Sequence, residues 1–349
     1  IFVLICLFVI FRLIYLVVRT GVLLPKQMKL GLSKRKSRIT QNQLRSSLLQ
    51  LVSGNYASIS EKTTSIFSDN TSIDMMIINA EAFLKDGRYD KLIEICQKIK
   101  GSGTPIAGVS RSQINKATDI LMARAYKEQG KYNRALKLLQ PFTNDAKNES
   151  FIFTMLKDIH IQDKRWQDLS ELLIKCNAHH KNNLPALVDC FTNLSELDKI
   201  SKLWGALDKK IKKDSKIATA YALALGRNGK ENLAVEFLQQ EIKSSYNELL
   251  MDSYKTIISS TPLQQLKFLE DFMQNHKMDK SLLSALAKLS EHNKLQAKAR
   301  SYYEQLLANY PQASVEDKVS YAKLLEESNN SNDKDKAYAI LRAAYPQDQ

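Results

Sequence analysis

Glycine, proline and cysteine are all scarce in this 349-residue sequence, at 11, 7 and 4 residues. A strand-rich fold needs many tight turns, and few turn residues are on offer. Alternation of strand period is equally hard to find. The expected class is all-α. The four cysteines, Cys6, Cys96, Cys176 and Cys190, are far apart and form no C-x-x-C pair. That argues against a disulfide framework and a zinc ribbon, and fits buried thiols in a reducing compartment. Also missing are H-E-x-x-H, G-x-S-x-G, a Walker loop and a dinucleotide fingerprint after a strand. The stretch GSGTPIAG (101–108) has no strand before it and is interrupted by Pro105, so it is not read as a phosphate cradle. No catalytic residue, cofactor or metal is assigned, and an enzyme is not expected.

Acid is absent from the first 60 residues, which carry nine Lys/Arg: Arg12, Arg19, Lys26, Lys29, Lys34, Arg35, Lys36, Arg38 and Arg45. The other 42 of the 51 basic residues face 37 acidic ones, so most of the formal net charge of +14 sits at this end. A nucleic-acid partner is not required by that distribution. Residues 1–18, IFVLICLFVIFRLIYLVV, form an apolar run broken once, by Arg12, close to the ~20 residues of a spanning helix. Because the basic stretch follows the apolar one, the order is that of a retained anchor and not of a signal peptide. Residues 1–25 are therefore expected to be a transmembrane anchor whose start lies upstream of Ile1. Residues 26–40 follow as a basic juxtamembrane linker, and the positive-inside rule places the rest in the cytoplasm.

Over residues 41–349 the pattern is one of helical hairpins. Ala123, Tyr126, Gly130, Tyr132, Ala135 and Leu139 fit a tetratricopeptide frame: small residues where two helices approach, and a Gly at the turn between them. Ala80, Phe83, Gly87, Tyr89, Leu92 and Cys96 repeat it, as do Ala222, Leu225, Gly229, Ala234 and Leu238. Ala287, Ala299, Tyr303 and Pro311 give another copy, and Tyr321, Ala337 and Pro346 a last one around SNNSN (328–332). An earlier turn is marked by Gly54.

Turns are read at Gly130, Asp163, Gly229 and Asn293, each followed by Lys, with separations of 33, 66 and 64 residues in that numbering. The longer two are close to two units of about 34, so weaker hairpins are expected near residues 196 and 262, the first with an Asp198-Lys199 turn pair. The prediction is a tetratricopeptide-like α-solenoid of eight or nine hairpins. Gly87 and Gly130, 43 apart by number, leave room at 101–108 for a loop or a boundary between sub-arrays.

Cys176, His179 and His180 have the i, i+3, i+4 spacing of soft ligands on one helix. The Lys181-Asn182-Asn183 that follows reads as a solvated helix end, so the cluster is not assigned to metal or haem. Trp166 and Trp204 are read as packing residues between repeats.

The order of these features resembles the HemY N-terminal-region family of proteobacterial inner-membrane proteins. It carries LLQLVSGNYASISEKT with Leu48, Leu51, Gly54 and Tyr56 on the family motif, then the 203–242 stretch and KARSYYEQLLANYP (298–311). Ile59 departs from the usual Ala. The resemblance implies an inner-membrane tetratricopeptide protein associated with late protohaem (tetrapyrrole) biosynthesis. The flavin-dependent protoporphyrinogen oxidase of the same name is a different protein, and its dinucleotide-binding glycines are missing here. The expected function is a membrane-anchored scaffold that binds partner proteins, late tetrapyrrole-pathway enzymes among them. The alternatives are a tetrapyrrole-binding chaperone, with His180 or Cys176 as ligand, and an envelope-assembly adaptor unrelated to haem.

Overall fold

In the computed structural model the described residues are 12, 41–63, 72–102, 108–147, 150–176, 183–276, 278–328 and 331–344. They are helical throughout, with no β-strand among them. No helix among them is long and apolar enough to cross a membrane; the expected anchor (1–25) and linker (26–40) lie outside the described residues, Arg12 apart. By contacts the chain divides into two compact units, residues 1–144 and 145–349. The stretch 101–108 thus falls within the first.

The first unit holds three hairpins: α1 (residues 41–52) with α2 (Tyr56–Thr63), α3 (Ile73–Lys85) with α4 (Tyr89–Gly101), and α5 (Arg111–Glu128) with α6 (Tyr132–Leu139). The second holds six more: α7 (Ser150–Gln162) with α8 (Trp166–Lys175), α9 (Leu184–Asn193) with α10 (Leu197–Ala206), and, after the short α11 (Lys209–Lys212), α12 (Ser215–Arg227) with α13 (Glu231–Ser244). Then come α14 (Glu248–Thr256) with α15 (Pro262–Asn275), α16 (Lys280–His292) with α17 (Gln296–Asn309), and α18 (Val315–Glu326) with α19 (Ser331–Ala344). The expected tetratricopeptide-like hairpins are present, nine among the described residues.

Local chemistry sets the boundaries. Many first helices start at a side-chain cap that satisfies free backbone donors: Ser72 on Met75, Ser110 in a capping box with Gln113, Asp214 on Lys216, Asp279 on Leu282, Ser314 on Asp317. Six first helices end in the same turn. The residue after the C-cap adopts positive φ, and the next N–H reaches back five residues, as in Asn55 to Gln50, Arg88 to Phe83, Lys131 to Tyr126, Arg165 to His160, Lys230 to Leu225 and Leu295 to Ser290. This is a Schellman motif.

At these six turns the positive-φ residues are Gly54, Gly87, Gly130, Lys164, Gly229 and Lys294. Two expected turns therefore shift by one position, from Asp163 to Lys164 and from Asn293 to Lys294. In the corrected frame the numbers 164, 229 and 294 are each 65 apart. The helices keep that register: α7, α12 and α16 begin at 150, 215 and 280, and α8, α13 and α17 at 166, 231 and 296. The second unit repeats a two-hairpin module in the manner of a solenoid, and its last hairpin, α18/α19, departs from the earlier second hairpins by packing closely.

The hairpins expected near 196 and 262 exist, but their connectors are extended. Leu194 and Glu196 have ψ of 132° and 116°, and Ile257 has ψ of 113°. Asp198 and Lys199 are not the turn; they lie in the first turn of α10. In α9/α10 and α14/α15 the two backbones do not run in close contact, whereas the pairs α3/α4, α5/α6, α7/α8, α12/α13, α16/α17 and α18/α19 do. The close approach is made by fully buried Ala123 and Ala135, Ala222 and Ala234, Ala287 and Ala299. Phe191 on α9 meets Trp204 on α10 edge-on, and Trp204 stacks at 4.1 Å on Tyr221 of α12, with Phe237 of α13 edge-on to both. Between α14 and α15, Gln265 donates to the carbonyls of Tyr254 and Ile257, and the Tyr254 hydroxyl donates to the Gln265 carbonyl.

Candidate protein-binding face

Helices that end in the same turn present the same face at the same distance from it. Six residues before the positive-φ glycine stand Leu48, Glu81 and Arg124, on α1, α3 and α5. The Arg124 guanidinium holds the Glu81 carboxylate through two bonds, of 2.6 and 2.9 Å, so this position does line up from one first helix to the next. Ten residues before the glycine are Leu44, Ile77 and Ile120, all half-buried; three before it are Leu51, Leu84 and Lys127. The first unit thus carries half-buried Ile77 and Ile120 on α3 and α5, beside one ion pair, and Leu44 and Leu51 at the matching register of α1, a lane of aliphatic positions. Apolar surface of this kind, rimmed by charge, is where solenoids take helices or extended segments.

The first-helix face of the second unit differs in kind. Lys255 on α14 donates to the Ser284 hydroxyl on α16 at 2.9 Å, and Ser284 donates to Asp317 on α18 at 2.6 Å. Asp317 is buried and also accepts from Ser314. Lys288 pairs with Glu316, while Arg227 on α12 donates to the carbonyls of Phe191 and Thr192 at the end of α9. These polar groups satisfy one another, which fixes the stacking of the helices.

Two cavities lie among the described residues of the second unit. One, about 530 Å³, is lined by Asn232, Gln239, Ser259, Gln264, Phe268 and Asp271 among others. The other, about 290 Å³, lies between the start of α8 and Asn193, Leu194 and Ser195. Neither is lined by His, Cys or Tyr, so neither offers the axial ligand a haem iron needs.

The candidate ligand cluster is placed only in part. α8 ends at Lys175 with half-buried Cys176 as its C-cap, and burial raises that thiol. His179 and His180 lie outside the described residues. Cys96 and Cys190 are buried as expected, and desolvation pushes both thiols up to about 12, which leaves them protonated and inert. Trp166 packs half-buried against the second-unit core, and Trp204 joins the ring cluster, so both act as packing residues. His160 is buried with its Nδ1 unpartnered, and burial holds it below its ordinary 6.5. No group of three His, Cys, Asp or Glu able to hold a metal occurs among the described residues. The aliphatic lane was not assigned from sequence, although counting back ten and three residues from each turn glycine would have found it.

No family model matches the chain, and neither does any curated protein. Two solved structures show a weak likeness. One is the Naa15/Naa10 complex bound to HypK-THB: 13% identity, TM-score 0.35, with 85% of this chain and 51% of that one covered. The other is the APC/C hetero-tetramer Cut9-Hcn1: 10% identity, TM-score 0.31, with 86% of each chain covered. The chain spans about half the length of the first.

Proposed function

We propose that this chain is a membrane-anchored adaptor whose first unit binds partner proteins along its first-helix face. The observation that carries the reading is the set of half-covered aliphatics Leu44, Leu51, Ile77 and Ile120 at one register of the first helices, where α14, α16 and α18 of the second unit carry a polar ladder. A partner helix or extended segment would bury those side chains, at about 25 cal/mol per Å² of apolar area, and would meet the Glu81–Arg124 pair and Lys127 at the edge. The apolar run of residues 1–18 and the acid-free basic stretch supply the anchor and put the array on the cytoplasmic face. The resemblance to the HemY N-terminal-region family supports late protohaem enzymes as partners, in an inner-membrane setting.

Two experiments test this. Purified in detergent at full length, the Ile77→Glu/Ile120→Glu double variant should lose proteins that the parent retains. A Leu233→Glu/Leu263→Glu control, on the exposed second helices α13 and α15, should keep them. Equal retention by all three would refute the face. Deleting the gene should cause porphyrins to accumulate; unchanged porphyrins with an envelope defect would replace the haem reading by the envelope-adaptor one.

A further inference from the structure

The outer edge of α1 departs from the edges of the first helices that follow it. Five residues before the turn glycine, α3 and α5 carry Ala82 and Ala125, and nine before it Ile78 and Leu121; all four are buried. Twelve residues before it are the buried Met75 and Thr118. The same positions of α1 are Leu49, Arg45 and Asn42. Leu49 is 72% exposed, and Val52, one turn further along the same edge, is 86% exposed. Arg45, Leu48, Leu49 and Val52 follow i, i+3, i+4, i+7 spacing and share one side of the helix.

This edge is not shaped to receive another repeat. A leucine stands where close helix packing uses alanine, and an arginine stands where it uses isoleucine or leucine. Bare aliphatic side chains on the first described hairpin need a cover. The chemistry of this cover is given by what accompanies the aliphatics: arginine, and no carboxylate anywhere before Glu61. Aliphatic and cationic groups on one helical side, with acid excluded, match the boundary between anionic headgroups and acyl chains. The 15 residues of 26–40 extend at most about 50 Å, and their basic side chains favour staying at that surface.

We propose that α1 lies on the anionic bilayer surface, with Leu48, Leu49 and Val52 entering the headgroup–acyl boundary and Arg45 meeting the phosphates. The inference rests on the reading of residues 1–25 as an anchor. The seat is separate from the protein-binding lane, which uses the neighbouring side of α1 through Leu44 and Leu51, with Leu48 at the border.

The test uses the full chain with Cys6 and Cys176 replaced by Ser, reconstituted in phosphatidylcholine/phosphatidylglycerol vesicles. A fluorophore is placed at Val52→Cys, or at Tyr338→Cys as an exposed comparator on α19. Lipid-borne nitroxide should quench the label at 52 several-fold more than the label at 338, and aqueous iodide several-fold less. Adding Arg45→Glu should lower the lipid quenching at 52 several-fold. Flotation with the vesicles reports the anchor independently. A chain that floats with its 52 label as open to iodide as the 338 label overturns the inference and leaves the anchor standing. A label at 52 shielded from both quenchers overturns it too, since protein then covers the edge. A chain that fails to float overturns the anchor and this inference together.

Discussion

The second unit builds hairpins in two ways. In α12/α13 and α16/α17 a left-handed turn and facing alanines bring the two backbones together. In α9/α10 and α14/α15 an extended connector lets the helices stand apart, and rings or a glutamine fill the space. The first kind is specified by small residues and one backbone conformation, the second by bulk. They should therefore fail differently: a tight hairpin through overfilling, a wide one through emptying.

The largest effect is expected from emptying a wide hairpin. Trp204→Ala removes the ring that stacks on Tyr221 and should cost about 3 kcal/mol, read as a lower denaturant midpoint for the second unit. Overfilling a tight one comes next: Ala234→Leu, between α12 and α13, should cost about 2 kcal/mol. Leu at a small residue of a wide hairpin, such as Ala206→Leu at the exposed end of α10, should change little. Comparable losses from Ala234→Leu and Ala206→Leu would dissolve the distinction.

The turn itself gives a smaller and signed effect. Lys164 and Lys294 hold φ of 55° and 56°, a region that costs a residue with a Cβ about 1 kcal/mol or more. Lys164→Gly and Lys294→Gly should each stabilise by about 1 kcal/mol. Gly130→Ala should destabilise by a similar amount through the backbone alone, because a Cβ there meets no atom within 4 Å. These are read from denaturation midpoints, and a destabilised Lys294→Gly would contradict the turn assignment.

The smallest effect is a pH slope. Burial holds His160 below 6.5 in the folded chain, so between the folded and unfolded values the unfolded state binds more protons. Stability is then full above about pH 6.5 and falls as pH drops below it. Replacing His160 by Leu should flatten that part of the profile, as seen in unfolding midpoints measured from pH 7.5 to 5.

Much of the fold is legible in the sequence because its tight hairpins use residues with conformational meaning. Glycine at 54, 87, 130 and 229 marks a turn for a steric reason, and alanine at 123, 135, 222 and 234 marks helices in close contact. Lysine at 164 and 294 carries no such mark. A favourable six-residue closing hydrogen bond puts it in the left-handed region, and sequence reading placed those turns one residue early. The two wide hairpins show amphipathic periodicity, so their existence was readable. Their spacing was not, because periodicity tells which side of a helix is apolar and not how far away the partner axis lies. The aliphatic lane lay hidden for a related reason. Leu44, Ile77 and Ile120 are ordinary core residues until the common turn fixes which of them face outward. The second-unit ladder of Lys255, Ser284 and Asp317 joins three helices, and no local motif announces it.

The proposal that the first-helix face of the first unit is the protein-binding surface can be tested most directly by site-specific photocrosslinking in the whole chain. A benzophenone side chain would replace Ile77, Ile120 or, on the second-helix side, Leu233. Adducts of the same discrete partner from 77 and 120, and none from 233, are the predicted result. Adducts from 233 alone, or none from 77 and 120 when the partner co-purifies, would contradict it.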